Sequence, residues 1–538
     1  MQPQYTVEFV GLNSLSPNAS SGPKRNLPDG GAAANRGRST ALLGVVLVIA
    51  TAGLIYELSI AAIASYLLGD TVTQFSLVIG VYLSALGLGA YLSRFAITNL
   101  TLTFVRVEYA TALIGGFSVI GLELSFSYGA PFRTLLLITV MSVGVLVGLE
   151  LPLLLRILER QMSFKELVAR ALGFDYLGAL FGSLGFSLWL VPHCGLVQTA
   201  LICGLLNACV GIGSTWLLAE PAMSSRISFT RLRSFGLFIV AILGMGLWFA
   251  EPLTRLGEHQ LYGDIVRATQ SPYQRIVLAR RAEHFELFLN GHLQFSTADE
   301  RRYHEALVHP VLAAAASPKK VFIGGGGDGL ALREILKWSS VTSVVLVDID
   351  PAITRLAAEE PRLVELNERS LLDPRVRVIN ADAMSYLAAA QEAFDVMLLD
   401  FPDPTQLGLG KLYSSQFYAT VRNRLSIDGA LGVQCTSPLL TRVSFWSIIT
   451  TLESTGFHVI PYRAFVPSFG DWGFALARRV PFQFPLHLPE IPLSTLESGT
   501  VSALLEFPSD VRRVSAPVNL LNNQALVGVY LEESARFE

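Results

Sequence analysis

Val321-Phe-Ile-Gly324-Gly-Gly-Gly-Asp328-Gly329-Leu330, with Val344-Val-Leu-Val-Asp348 following it, decides how the second half of this chain folds. An apolar run opens into a glycine-rich turn, a helical segment follows, and a second apolar run ends on an acid. Gly324, Gly326 and Gly329 take the glycine places of G-x-G-x-x-G, and Asp348 stands nineteen residues after Gly329. In a strand–turn–helix–strand context such glycines let the backbone approach a ligand. The acid then binds the ribose hydroxyls of an adenosine-containing molecule. Further apolar runs at Val376–Ile379, Val396–Leu399 and Ala430–Val433, separated by helical segments, predict a parallel, doubly wound α/β sheet. Upstream, residues 274–295 alternate as a small β-hairpin turning at Asn290-Gly291.

Carboxylates gather at the same places in the pattern. Asp382 follows the third run, Asp400 ends the fourth, and Asp403 follows in Asp400-Phe-Pro-Asp403-Pro404. Carboxyl ends of parallel strands converge on one crevice, so Asp328, Asp348, Asp382, Asp400 and Asp403 share a rim. Each alone suits a helix N-cap. Together they repel unless a cation joins them, which points to a polycationic ligand.

The first half reads differently. Of 538 residues 51% are hydrophobic and only 15% charged, below the ~25% charged of soluble chains, and charges are sparse up to about Glu251. A Gly/Pro/Ser/Asn-rich tail over 1–40 is expected to be disordered. Seven apolar stretches follow, at about 41–67, 73–93, 109–129, 134–155, 171–191, 196–218 and 235–250, each near the ~20 residues of a membrane helix. Gly178 and Gly182 form a GxxxG step. Alternate loops hold Arg94 and Arg106, then Arg156, Arg160, Lys165 and Arg170, then Arg226, Arg231 and Arg233, and the tail holds Lys24, Arg25, Arg36 and Arg38. The positive-inside rule makes that side cytoplasmic. Seven spans then leave the C-terminal half outside the cytoplasm, unless the short seventh stretch does not span. Glu57 and Asp175 sit deep in apolar stretches and flag a functional site, whereas Glu123 and Glu150 lie nearer stretch ends and read as interfacial. The domains are therefore a 1–40 tail, a 41–251 membrane domain, a 255–480 catalytic domain and a 481–538 extension.

Cys194, Cys203, Cys209 and Cys435 follow no metal-ligand or C-x-x-C spacing, so neither a metal site nor a disulfide framework is expected. A net charge of -3 gives no reason to expect nucleic acid.

Gln270-Ser-Pro-Tyr-Gln274, Asn290-Gly-His-Leu-Gln294, Asp299-Glu-Arg-Arg-Tyr303-His304-Glu305, Gly325-Gly-Gly-Asp328-Gly329, Asp348-Ile-Asp350 and Asp400-Phe-Pro-Asp403-Pro404 stand in an order and spacing that resembles the spermidine synthase family. The resemblance spans about residues 262–478, and the apolar half resembles the membrane extension of some bacterial members. It implies a Rossmann-like, methyltransferase-type sheet with a small N-terminal β-hairpin subdomain. The implied activity is transfer of an aminopropyl group from decarboxylated S-adenosylmethionine, a co-substrate with no further cofactor, to putrescine. By position the resemblance assigns Gln274, Asp348, Asp382, Ala383, Gly325 and Gly327 to the donor and its methylthioadenosine product. Asp328 falls to the aminopropyl ammonium; Tyr303, His304, Asp403 and Gln294 to the acceptor; and Asp400 to the catalytic base. A multi-pass protein of the cell membrane, in a lipid bilayer, is implied, with a homo-oligomer left open.

This chain departs from the family pattern at Asn290, at Thr405-Gln-Leu-Gly-Leu-Gly410 in the donor-covering loop, and at Phe469, where a family tyrosine touches the acceptor. Two other readings compete: a membrane polyamine transporter or sensor whose soluble half only binds, and a methyltransferase. The base at Asp400 argues against the first. Asp328, which would repel the carboxylate of ordinary S-adenosylmethionine, argues against the second.

Overall fold

The computed structural model describes residues 29–68, 71–159, 164–218, 226–497 and 499–536. Lys24, Arg25 and Arg160 lie outside them, as does the tail over 1–28. Residues 29–40 of the expected tail are helical instead, forming the start of α1 (Asp29–Leu68).

The N-terminal half is a bundle of α1, α2 (Thr71–Leu92), α3 (Leu100–Gly116), α4 (Ser118–Ser127), α5 (Phe132–Leu158), α6 (Phe164–Gly185), α7 (Val191–Leu217) and α8 (Arg226–Trp248). Among the described residues six continuous helical segments are long and apolar enough to cross a membrane. One of them, Lys165–Leu217, has 53 residues, about 80 Å if straight, far more than the ~30 Å hydrocarbon layer. It is broken at Gly195, whose φ of 76° and ψ of 175° are not helical. The expected fifth and sixth stretches are its two arms. The expected seventh is itself long and apolar enough to cross a membrane, Phe229–Trp248.

Small residues set the helix contacts. A methyl on Gly178 would lie 2.5 Å from the Leu47 carbonyl oxygen, and Thr51 Oγ1 donates to the Gly178 carbonyl at 3.0 Å. The GxxxG step is thus the seam between α6 and α1. Large apolar side chains such as Leu83, Phe181, Trp189, Leu237 and Trp248 face outward, as a lipid-facing surface requires. Glu123 lies against Gly257, at the junction with the C-terminal half, whereas Glu150 packs against Thr111 inside the bundle. Both are buried, Glu150 at 1% exposure, with Thr111 Oγ1 donating to its Oε1 at 2.9 Å.

Helix α9 (Ala250–Tyr262) joins the halves. Tyr66 and Tyr262 hydroxyls are hydrogen-bonded at 3.2 Å, and Glu258 takes both arms of the Arg275 guanidinium at 2.7 and 2.8 Å. The small subdomain is larger than a hairpin: β1 (Asp264–Gln270), β2 (Arg275–Arg281), β3 (His284–Leu289) and β4 (His292–Ser296) form an antiparallel sheet. Asn290 and Gly291, at φ 48° and 84°, turn β3 into β4. The reversal between β2 and β3 is a separate turn near Ala282.

After α10 (Glu300–Ala314) comes a seven-stranded sheet of β5 (Lys320–Gly325), β6 (Ser343–Asp348), β7 (Val376–Asn380), β8 (Phe394–Asp400), β9 (Leu425–Gln434), β10 (His458–Val466) and β11 (Gly470–Arg478). The order is β10-β11-β9-β8-β5-β6-β7. Its five central and edge strands from β9 to β7 run parallel, and β11 and β10 add an antiparallel edge. Chain order reverses beside β5, which places a crevice at the carboxyl ends of β5, β6 and β8. One apolar core lies under α10 and another on the opposite face, around Phe417, Phe445 and Ile449.

Candidate active site

The strand register brings the rim together. Gly325 at the end of β5 is paired with Asp400 at the end of β8. Any side chain at Gly325 would meet the Asp400 carbonyl oxygen at 2.2 Å, and its φ is +81°; only glycine suits that position. Beside it, a methyl on Gly327 would lie 2.6 Å from Asp348 Oδ2, and Gly327 N–H donates to that oxygen at 3.1 Å. Asp348 also accepts from Asp350 N–H at 2.8 Å. Burial nonetheless pushes its carboxyl up to about 6.

Asp400 accepts from the Tyr303 hydroxyl at 2.6 Å. Burial raises its carboxyl above the ordinary range, opposed by His304 and by that hydrogen bond. Asp328 accepts from Leu330 N–H at 2.8 Å, a local contact to the amide two residues on. Burial brings it to about 6, with His304 pulling down and Asp400 pushing up. His304 and Tyr303 come from α10. His304 Nδ1 meets Glu300 Oε2 at 2.9 Å, one helical turn back. Burial pushes this imidazole down, but Glu300 outweighs it and the net shift is upward. Glu300 is clamped by Arg333 at 3.0 and 2.9 Å and falls to about 2 despite burial. A fixed ionic scaffold thus holds a histidine biased toward its cationic form, with Asp328 and Asp400 adding to that bias.

Asp403 is reached by two residues outside the predicted set: Tyr530 donates to its Oδ2 at 2.7 Å, and Gln434 Nε2 approaches its Oδ1 at 3.3 Å. Burial pushes Asp403 up to about 6. Tyr530 lies in the helix Ala525–Ser534, so the 481–538 extension belongs to the site. The same helix backs the loop at Thr405–Gly410: a methyl on Gly410 would strike Val527, and Asn519 Nδ2 donates to the Gly410 carbonyl at 2.9 Å.

Asp382 stands apart electrostatically. It caps the helix Ala383–Ala389 through Ser385 N–H at 2.8 Å and pairs with Lys411 Nζ at 2.6 Å. Those contacts outweigh burial and hold it below the usual carboxylate range. Gln274 Nε2 donates to Asp350 Oδ2 at 2.9 Å, and Gln294 Nε2 to the His292 carbonyl at 3.1 Å; neither hydrogen-bonds the Asp328–Asp400–Asp403 group. Phe469 packs edge-on to Tyr303 with ring centroids 6.1 Å apart. Among the described residues, no Lys or Arg pairs with Asp328, Asp400 or Asp403.

A glycine turn and an acid at the end of β6, beside acids that no Lys or Arg pairs among the described residues, suit a nucleotide-like ligand and a cationic one. Comparison with known proteins narrows the class. The family described as "Spermine/spermidine synthase domain" matches residues 300–480. Polyamine aminopropyltransferase of Leptospira interrogans is 47% identical over 495 residues, covering 92% of this chain and 98% of that protein. Polyamine aminopropyltransferase 2 of Ralstonia nicotianae is 44% identical over 506 residues, covering 93% and 99%. A solved spermidine synthase in complex with the transition state analogue AdoDATO is 25% identical, with a TM-score of 0.43, covering 46% of this chain and 87% of that one. The chain belongs to the polyamine aminopropyltransferase family and is an aminopropyl-transferring enzyme fused to a bundle of membrane-length helices.

Proposed function

We propose that the donor is decarboxylated S-adenosylmethionine and the acceptor putrescine, giving spermidine and methylthioadenosine. The observation that carries this reading is the convergence of Asp328, Asp400 and Asp403 without a Lys or Arg partner, which asks for an ammonium-bearing ligand. Asp348, Asp382, Ala383, Gln274, Gly325 and Gly327 take the nucleoside. Asp328 takes the aminopropyl ammonium, while Tyr303, His304, Gln294 and Asp403 take the acceptor.

An amine of ordinary pKa near 10 is protonated at neutral pH. Asp400 accepts its proton, and the freed nitrogen attacks the propyl carbon of the sulfonium. A C–N bond forms as the C–S bond breaks, and sulfur leaves with the electron pair as a neutral thioether. Burial makes Asp400 a stronger base, while Tyr303 fixes its orientation. No cofactor enters this scheme.

The bundle also supports a side of the membrane. Arg156 donates to the Ser93 carbonyl at 2.9 Å, so the basic ends of α2 and α5 adjoin. The catalytic half docks at the other end, through Tyr66 and Tyr262. The positive-inside rule then puts catalysis outside the cytoplasm. The test uses sealed right-side-out vesicles holding the full chain. With both substrates added outside they should release methylthioadenosine and spermidine. Methyl transfer from ordinary S-adenosylmethionine instead would defeat the assignment. Turnover appearing only after permeabilisation would reverse the side alone.

A further inference from the structure

The membrane bundle buries a second group of acids that the catalytic reading does not use. Glu108 on α3 has 0% exposure, and neither carboxyl oxygen has a hydrogen-bond partner among the described residues. Thr111, one turn along, donates to Glu150 of α5, which brings the second carboxyl to the same level.

Helix α7 closes this level from the other side. A methyl on Gly211 would lie 3.2 Å from Glu108 Cβ, and one on Gly204 would lie 2.7 Å from the Ala112 carbonyl oxygen. The stretch of α7 between those glycines therefore runs antiparallel along α3 from Ala112 to Glu108. Asn207 stands on that stripe, one turn from each glycine. It has 0% exposure, and its amide oxygen and nitrogen are both unpartnered. Tyr56 of α1 lies with its ring against Gly115. Its hydroxyl is likewise buried and unpartnered among the described residues, and Gly115 stands one turn along α3 from Thr111.

A buried amide left without a partner is costly, and an unpaired acid at membrane depth is ordinarily functional. Four helices converge here on carboxyl, amide and hydroxyl groups, and no Lys or Arg bonds to either acid among the described residues. The occupant that satisfies such a set is a cation bearing N–H donors. An ammonium group offers three, and the two Glu108 oxygens and the Asn207 carbonyl are three buried acceptors without a donor among the described residues.

We propose that Glu108, Glu150, Asn207 and Tyr56 form an intramembrane binding site for the ammonium group of an aliphatic amine, separate from the catalytic crevice. The choice of amine over an inorganic ion rests on the reading of the catalytic half given above.

Equilibrium binding of radiolabelled putrescine to the full chain in detergent tests it, with methylthioadenosine release measured on the same preparations. The wild type should bind one equivalent more than Glu108→Gln or Asn207→Leu, and all three should turn over alike. Asn207→Leu removes an unpartnered amide, so it should fold at least as stably as the wild type and guards against a trivial loss of structure. Equal stoichiometry in all three would overturn the proposal. So would a difference seen only with radiolabelled sodium and not with putrescine. Loss of the extra equivalent in both variants, with turnover absent throughout, would fault the catalytic reading and leave the intramembrane site standing.

Discussion

Two buried acid clusters, one at the sheet and one in the bundle, are held in opposite ways. At the sheet every carboxylate has a donor aimed at it: Tyr303 on Asp400, Tyr530 on Asp403, the Gly327 and Asp350 amides on Asp348. In the bundle, Glu108 has none. Donors fix where a carboxylate points, and chemistry on a carbon atom needs that direction to be fixed. A carboxyl whose orientation is unset suits capture of a cation, which brings its own donors. On the two readings proposed above, carboxyl groups serve reaction in one region and retention in the other.

Asp400→Asn is the severest challenge to that contrast. It keeps the Tyr303 contact but cannot accept a proton, so turnover at saturating substrate should drop by roughly 10²–10⁴, with part of the loss regained at higher pH. Asp348→Asn, on the same rim, should raise the KM for the donor and leave saturated turnover much closer to normal. If Asp400→Asn turned over normally, the sheet cluster would also be a cluster that only binds.

Tyr530→Phe should have a smaller effect. It removes one hydrogen bond from Asp403, worth about 1 kcal/mol or roughly fivefold, and should appear as a higher KM for the acceptor with little change in kcat. No change in either would detach the C-terminal helix from the site.

The smallest effect concerns pH. Asp328, Asp348 and Asp403 rise in the folded protein to about 6 from an ordinary 3.8. Between those values the folded chain keeps protons that the unfolded chain has lost. Their stabilising contribution is full below about 4 and is lost as pH climbs through about 6. Glu300, held down at about 2, acts in the opposite sense in a more acidic window. The melting temperature of the ligand-free protein should therefore decline between about pH 4.5 and 7, and the decline should shrink in Asp403→Asn. A flat profile in the variant and the wild type alike would mean that the rim is already neutralised.

What could be read from sequence followed short-range pattern. The parallel strands, the glycine turn and the acids at strand ends were legible because each is a local run with a fixed period or spacing. The antiparallel edge of β10 and β11 was not singled out, since its pairing is settled by what it packs against. Lys411, Gln434 and Tyr530 approach the rim through pairings of distant segments, and nothing in the residues beside them marks that approach. Glu108 escapes the sequence pattern for another reason. An apolar window drawn to begin beyond the last charge starts at residue 109 and assigns the acid to the loop, whereas the helix begins at Leu100. Glu150 looked interfacial by its distance from a stretch end, but the bundle covers it.

The contact between Tyr530 and Asp403 also has a bearing on how the enzyme comes into being. Synthesis runs from the N-terminus, and domains tend to fold as they emerge. The bundle is made first, then the glycine turn and the strands with their aspartates, and the helix carrying Tyr530 arrives late. A nascent chain can thus carry a folded sheet while Asp403 still lacks its Tyr530 partner. A premature stop after the sheet would leave the bundle and the strands in place and Asp403 without that hydroxyl.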